Sequence, residues 1–122
     1  MASTNKIIVL TTCSSLKEAR RIARALVERR LAACVNIGTA PVESVYRWEG
    51  KIESAKEYQL LIKTSRARYT EIERTIRELH GYEVPEIVAL PIVSGSRDYL
   101  SWIGQNADQL RTNSPMSNID IK

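Results

Sequence analysis

Val45-Tyr46-Arg47-Trp48-Glu49-Gly50-Lys51-Ile52 is the stretch on which the fold turns. Glu49-Gly50 is a hairpin signal, because glycine supplies the positive φ that a tight reversal demands. On one side an extended stretch runs from Cys34 to Trp48, with a bend at Gly38-Thr39-Ala40-Pro41. On the other, a return strand runs from Lys51 to Thr64 and contains Tyr58-Gln59-Leu60-Leu61-Ile62. A strand of about 15 residues spans roughly 50 Å. A compact domain of this length has a radius of gyration near 14 Å, hence a diameter of about 35 Å. The hairpin therefore overshoots its own domain. An overhang tipped with Tyr46 and Trp48 exposes open strand edges and aromatic surface, which a neighbouring subunit covers most simply. A closed homo-oligomer is expected, and the hairpin leaves its order open.

Outward from the hairpin, Ile7-Ile8-Val9-Leu10 reads as a central strand buried on both faces. Thr11 to Ser14 form its exit, and Ser14 or Ser15 can cap a helix that Leu31-Ala32-Ala33 closes. On that helix Leu16, Ala19, Ile22, Ala23, Leu26 and Val27 share one side. A second helix is expected over Ala67–Leu79, with Tyr69, Ile72, Ile76 and Leu79 as its stripe. Glu86–Ile92 reads as the last strand, ended near Pro91 because proline donates nothing to a ladder. Ser96 can cap a third helix bearing Leu100, Ile103, Ala107 and Leu110. The order is β-α-β-β-α-β plus a C-terminal helix, which predicts an α+β, ferredoxin-like split βαβ sandwich. One domain is expected over residues 1–110, with 111–122 as a flexible tail.

The chain has 122 residues, 43% of them apolar, and a net charge of +4. Between Lys17 and Arg30 lie six basic residues and two acidic ones, so that single helix carries the whole excess. A basic face on one amphipathic helix is most simply a solvated face, so no nucleic-acid partner is expected. Single-stranded RNA binding on the sheet would need aromatic residues on the central strands, and Ile7–Leu10 supplies none. No apolar run approaches the ~20 residues of a membrane span. The N-terminal residues lack a secretory apolar segment, and the two cysteines lack CxxC spacing; a cytoplasmic location with free thiols is expected.

Four motifs then occur in order: Leu31-Ala32-Ala33-Cys34-Val35-Asn36, Val45–Ile52, His80-Gly81-Tyr82-Glu83-Val84-Pro85-Glu86-Ile87, and Asp98-Tyr99-Leu100-Ser101-Trp102-Ile103. Together they resemble the CutA divalent-cation-tolerance family over about residues 6–106. The resemblance implies a homotrimer joined by long hairpins, kinship with PII-like signalling proteins, and binding of divalent copper linked to metal tolerance. The copper site it implies takes a cysteine at the end of the first strand and two consecutive histidines before Pro-Tyr. In this chain Thr11 holds the cysteine position, Leu79 replaces the first histidine and Gly81 replaces the proline. His80 carries over, and Cys13 lies two residues beyond Thr11.

The candidate metal ligands are accordingly His80 and Cys13, since imidazole and sulfur suit copper. A lone histidine in a loop is more often a hydrogen-bonded structural residue, and that alternative stands beside the metal reading. Cys34, among apolar neighbours, reads as core packing. Cys13, at a strand-to-helix junction, is the more interesting thiol, because a helix N-terminus lowers thiol pKa, and a structural role stands first beside that reading. Glu83 and Glu86 bracket Pro85 as hard-metal ligands or an acid/base pair. Tyr46, Trp48, Tyr82, Tyr99 and Trp102 are packing residues or walls of a ligand cleft between subunits, where Lys63 would meet a small anionic ligand. No GxGxxG, GxxxxGK[ST], GxSxG or HExxH occurs, so no enzyme is expected. Two functions follow: divalent-metal tolerance through copper, or a PII-like sensor of a nucleotide or anionic metabolite acting on a protein partner.

Overall fold

The structure is a computed structural model, and it describes residues 4–107. The elements are β1 (Lys6–Cys13), α1 (Leu16–Glu28), β2 (Cys34–Ile37), β3 (Val42–Trp48), β4 (Lys51–Ser65), α2 (Tyr69–Leu79), β5 (Val88–Pro91) and α3 (Arg97–Asn106). A short 3-10 turn at Arg66–Arg68 leads into α2. The sheet is antiparallel throughout, ordered β2-β4-β1-β5, with β3 also paired to β4. This is the α+β, ferredoxin-like arrangement expected from the hairpin and its flanks.

β4 is the spine. From Tyr58 to Ser65 it pairs with β1, and from Leu60 to Lys63 also with β2. Its first half, Lys51–Glu57, pairs only with β3 and forms a two-stranded arm. Glu49 (φ 50°) and Gly50 (φ 83°) both adopt left-handed backbone at the tip, so the reversal needs two positive-φ residues, not glycine alone. The stretch read as continuous from Cys34 to Trp48 is two strands; the bend at 38–41 divides it as expected, and the Gly38 N–H donates to Gln59 O at 2.8 Å.

The expectation that Ile7–Leu10 is buried on both faces is corrected. β1 is central, yet of these four residues only Ile7 and Val9 are buried, while Ile8 and Leu10 are half-buried. The physical reason is cover. α1 and α2 lie on one face, where Ala19, Ile22, Leu26, Ile72 and Ile76 meet Ile7, Val9, Leu60 and Ile62. The opposite face carries Ile8, Leu10, Leu61, Val88 and Leu90 by strand alternation and register. α3 approaches that face at the Lys6 end, where a side chain at Gly104 would meet Lys6 at 3.4 Å.

Three further expectations shift. Val27 is 43% exposed and leaves the α1 stripe. The helix ends at Glu28 rather than running to Ala33, because Arg30 turns left-handed (φ 58°) and the Leu31 and Ala32 N–H groups both donate to Leu26 O. Leu31-Ala32-Ala33 are buried as the approach to β2. The last strand forms ladder pairs only over Val88–Pro91, with Pro91 opposite Ile7. Because the next N–H, of Ile92, donates inward to Lys6 O at 3.0 Å, Pro91 faces the free edge, where no donor is required. Ser15 and Ser96 cap α1 and α3 as expected, accepting from the Glu18 and Tyr99 N–H groups. The placements of Leu110 and of the tail at 111–122 lie outside the described residues. No described helix is long and apolar enough to cross a membrane.

Candidate functional site

The site forms where β1 ends, α1 begins and α2 stops. Strand alternation sends Thr11 and Cys13 toward the helices and Thr12 toward the opposite face. The cap at Ser15 fixes the first turn of α1, which places Glu18 beside Cys13. α2 ends at His80, whose N–H donates to Ile76 O at 2.8 Å before the chain turns extended. Cys13, Glu18 and His80 thereby offer a sulfur, a carboxylate oxygen and an imidazole nitrogen, all within 4.8 Å of one another.

His80 is held at both nitrogens. Its Nδ1 accepts from the Tyr82 N–H at 3.0 Å, so the proton sits on Nε2, which donates to Thr12 O at 2.6 Å. The ring is a neutral imidazole in one tautomer, with the Tyr82 ring tilted against it at 4.7 Å. Glu18 Oε2 accepts the Gly81 N–H at 2.7 Å. Its other oxygen, Oε1, is buried with no hydrogen-bond partner among the described residues. Gly81 therefore does something that proline cannot, since proline has no N–H to donate to Glu18. A Cβ at Gly81 would also crowd that carboxylate, at 3.1 Å.

For Cys13 the structural alternative is the one the geometry favours, whereas Cys34 departs from its expected place in the core. Cys13 is fully buried in the core, and burial, reinforced by the carboxylates of Glu18 and Glu57, pushes its thiol up to about 12. The helix N-terminus does not produce a reactive thiolate there, because desolvation and two negative charges outweigh it. Cys34, read as a core residue, is half-buried on β2 and free.

On the other side of Thr12 lies an open cleft of about 620 Å³. The arm contributes Ser44, Tyr46 and Trp48, β4 contributes Glu57, and the segment after α2 contributes Tyr82, Glu83 and Glu86. Glu57 accepts from the Thr12 hydroxyl at 3.3 Å. Burial, then hydrogen bonding to Glu57, raises the Tyr82 hydroxyl well above the usual phenol range, so it stays protonated. Three carboxylates (Glu57, Glu83, Glu86) line the cleft, and among the described residues no lysine or arginine does.

Of the residues expected at the cleft, Tyr46, Trp48, Tyr82, Glu83 and Glu86 line it, and Lys63, Tyr99 and Trp102 do not. Lys63 pairs with Ile8 and Cys34 and its ammonium donates to Asn36 Oδ1. Tyr99 and Trp102 stack on each other along α3, ring centroids 5.7 Å apart. Sequence reasoning missed Thr12, Glu18 and Glu57. Glu18 sits five residues beyond Cys13, and the cap at Ser15 was the one signal for where its helix begins. Glu57 became a site residue only through the register of β4 against β1.

Comparison with known proteins agrees with this architecture. The sequence model described as "CutA1 divalent ion tolerance protein" matches residues 7–106. The divalent-cation tolerance protein CutA of Thermus thermophilus is 48% identical over 99 residues, spanning 81% of this chain and 95% of that protein. Its Archaeoglobus fulgidus counterpart is 41% identical over 100 residues, spanning 82% and 96%. Among solved structures, CutA1 from Shewanella sp. SIB1 superposes with a TM-score of 0.83 at 42% identity, over 88% of this chain and 99% of that one. The shared topology, the four motifs and a match over nearly all the described residues lead to one conclusion: this chain belongs to the CutA1 divalent ion tolerance protein family.

Proposed function

We propose that this protein serves divalent-cation tolerance as a non-enzymatic, cytoplasmic homotrimer that binds copper directly at Cys13, Glu18 and His80. One observation carries the reading: sulfur, carboxylate and imidazole donors converge within 4.8 Å while Glu18 Oε1 is buried and unpartnered among the described residues. A buried carboxylate oxygen without a donor costs free energy that a cation would return. The donor set suits copper in kind. Binding would require Cys13 to release its proton and His80 to give up one hydrogen bond, so affinity should rise with pH. The non-enzymatic reading is supported by the same geometry, since the thiol is held protonated and the imidazole has both nitrogens engaged. Assembly is supported by the arm, whose Val45 and Ile52 are 68% and 64% exposed, and by the half-covered sheet face; the trimeric order is what the family resemblance implies. The PII-like alternative, sensing of an anionic metabolite, is not favoured by the acidic cleft lining.

Calorimetric titration with copper tests the site. His80→Ala and Cys13→Ser should each weaken binding at least ~10-fold, about 1.4 kcal/mol. Equal, weak affinities in wild type and both variants would sink the assignment. Light scattering on the same samples should report three chains, and a monomer at micromolar concentration would remove the assembly from the proposal.

A further inference from the structure

We infer that Arg21 is a positioning residue for the metal site: it latches the segment Leu79–Gly81 as a gate over Cys13. The inference rests on the metal reading above for its purpose, because a cation that binds at Cys13 must have a way in. Cys13 is fully buried, so its sulfur meets no solvent until some wall moves. Two walls are regular structure. Cys13 sits in the β1–β4 ladder opposite Tyr58, and the first turn of α1 beside it is capped by Ser15. The third wall is the chain leaving α2, which forms neither helix nor ladder from His80 to Ile87. A wall without a ladder or helix is the one that opens at least cost.

Three bonds hold that wall where it leaves α2. His80 Nε2–H donates to Thr12 O at 2.6 Å, the Gly81 N–H donates to Glu18 Oε2 at 2.7 Å, and Arg21 Nη2 donates to Leu79 O at 2.7 Å. The first two engage His80 and Glu18, which would turn to the cation. Of the three, only the Arg21 bond involves no ligand, so it alone can close the segment over an empty site and an occupied one alike. Its chemistry suits a latch. Leu79 O belongs to the last turn of α2, whose carbonyls lack intrahelical partners, and a guanidinium there meets the negative end of the helix. Glu18 and Arg21 stand three residues apart on α1, so one face of that helix grips the chain on both sides of His80. Arg21 is exposed, and its bond can break without opening the core. Neither Arg21 nor Leu79 lines the cleft beside the arm, so the latch is no part of the arm surface that a neighbouring subunit covers. One residue of the basic stripe on α1 thereby has a task beyond solvation.

Thiol alkylation reads the gate without copper. The chain has two cysteines, so Cys34→Ala leaves Cys13 as the sole thiol. In that background iodoacetamide reaches Cys13 only while the segment is open, and the rate follows the open population. Arg21→Ala should speed labelling ~5-fold or more, while Arg21→Lys, which keeps a cationic donor, should stay within about 2-fold of the parent. Arg20→Ala, at a position that makes no side-chain bond among the described residues, should leave the rate unchanged. Removing a positive charge near a thiol disfavours the thiolate and by itself slows alkylation, so acceleration in Arg21→Ala reports opening and not electrostatics. In dilute urea the rate should stay nearly flat, because a local opening exposes little surface. A rise with the full slope of global unfolding, or equal rates in the parent and Arg21→Ala, would overturn the inference. With both cysteines restored, copper should enter and leave Arg21→Ala faster than wild type. Faster labelling with no copper binding in any form would remove the metal reading and leave the gate standing; unaltered labelling with intact copper binding would do the reverse.

Discussion

Ile52 and Ile62 lie on the same strand, and the first is 64% exposed while the second is fully buried. Nothing in the residue type separates them. Ile62 lies in the half of β4 flanked by β1 and β2 and roofed by α1 and α2, whereas Ile52 lies in the arm, opposite Arg47 of β3, with no helix above it. The contrast shows that this molecule is two structures sharing one strand: a closed body stabilised by its own core, and an arm whose apolar residues await a surface. The candidate site sits at their junction. Its Cys13 side belongs to the closed core and its cleft side to the arm.

The largest expected effect breaks the body. Ile62→Ala should cost ~2–5 kcal/mol in denaturant unfolding, as deletion of a buried aliphatic group leaves a cavity. Ile52→Ala should cost under ~0.5 kcal/mol when measured at high dilution. Comparable losses at both positions, growing with protein concentration, would instead mean that an assembly buries the arm.

A smaller effect probes the buried end of the site. The Cys13 thiol titrates at about 12 in the folded chain against an ordinary value of 9.0. Below pH 9 both states hold the proton and the stabilisation is complete. Above pH 9 the unfolded thiol ionises and the folded one does not, so stability falls as pH rises toward 12. The raised Tyr82 hydroxyl pulls in the same direction. Between about pH 8 and about pH 10.5 the contribution of Cys13 is at most ~2 kcal/mol, and Cys13→Ala should show that much less loss over the interval. Identical pH slopes in the two proteins would show that burial does not hold the thiol protonated. Maleimide at neutral pH should correspondingly label half-buried Cys34 and spare Cys13.

A small change of opposite sign is expected at the tip of the arm. Glu49 occupies left-handed backbone, which asparagine tolerates better. Glu49→Asn should raise stability by ~0.5–1 kcal/mol, seen as a higher denaturation midpoint. A lower midpoint would mean that the Glu49 side chain contributes more than its backbone strain costs.

Much of this was legible residue by residue. Glu49-Gly50 located the hairpin and Ser96 the start of α3, because turns and caps are decided within a few residues of chain. Tyr46, Trp48, Tyr82, Glu83 and Glu86 were recognisable as cleft residues, since aromatics and carboxylates flanked the hairpin and the proline turn. Lys63, Tyr99 and Trp102 lie away from the cleft within one chain, because proximity in sequence to the hairpin, or aromatic character, says nothing of the face on which a residue emerges. The end of α1 was misplaced because Leu31-Ala32-Ala33 are apolar whether they continue a helix or enter the core. Arg30, which ends the helix in left-handed backbone, carries no such signature.

Sequence by itself determined the element order, the overshooting hairpin and the concentration of net positive charge over Lys17–Arg30, all of which depend on local pattern and length. The tertiary structure decided which face of β1 is covered, that Cys13 is the inert thiol, and that Glu18 joins it beside His80. It also decided that the cleft is acidic. Those outcomes depend on the register of β4 against β1 and on where α2 stops. A one-residue slip there would exchange the two faces, and no local propensity records that choice.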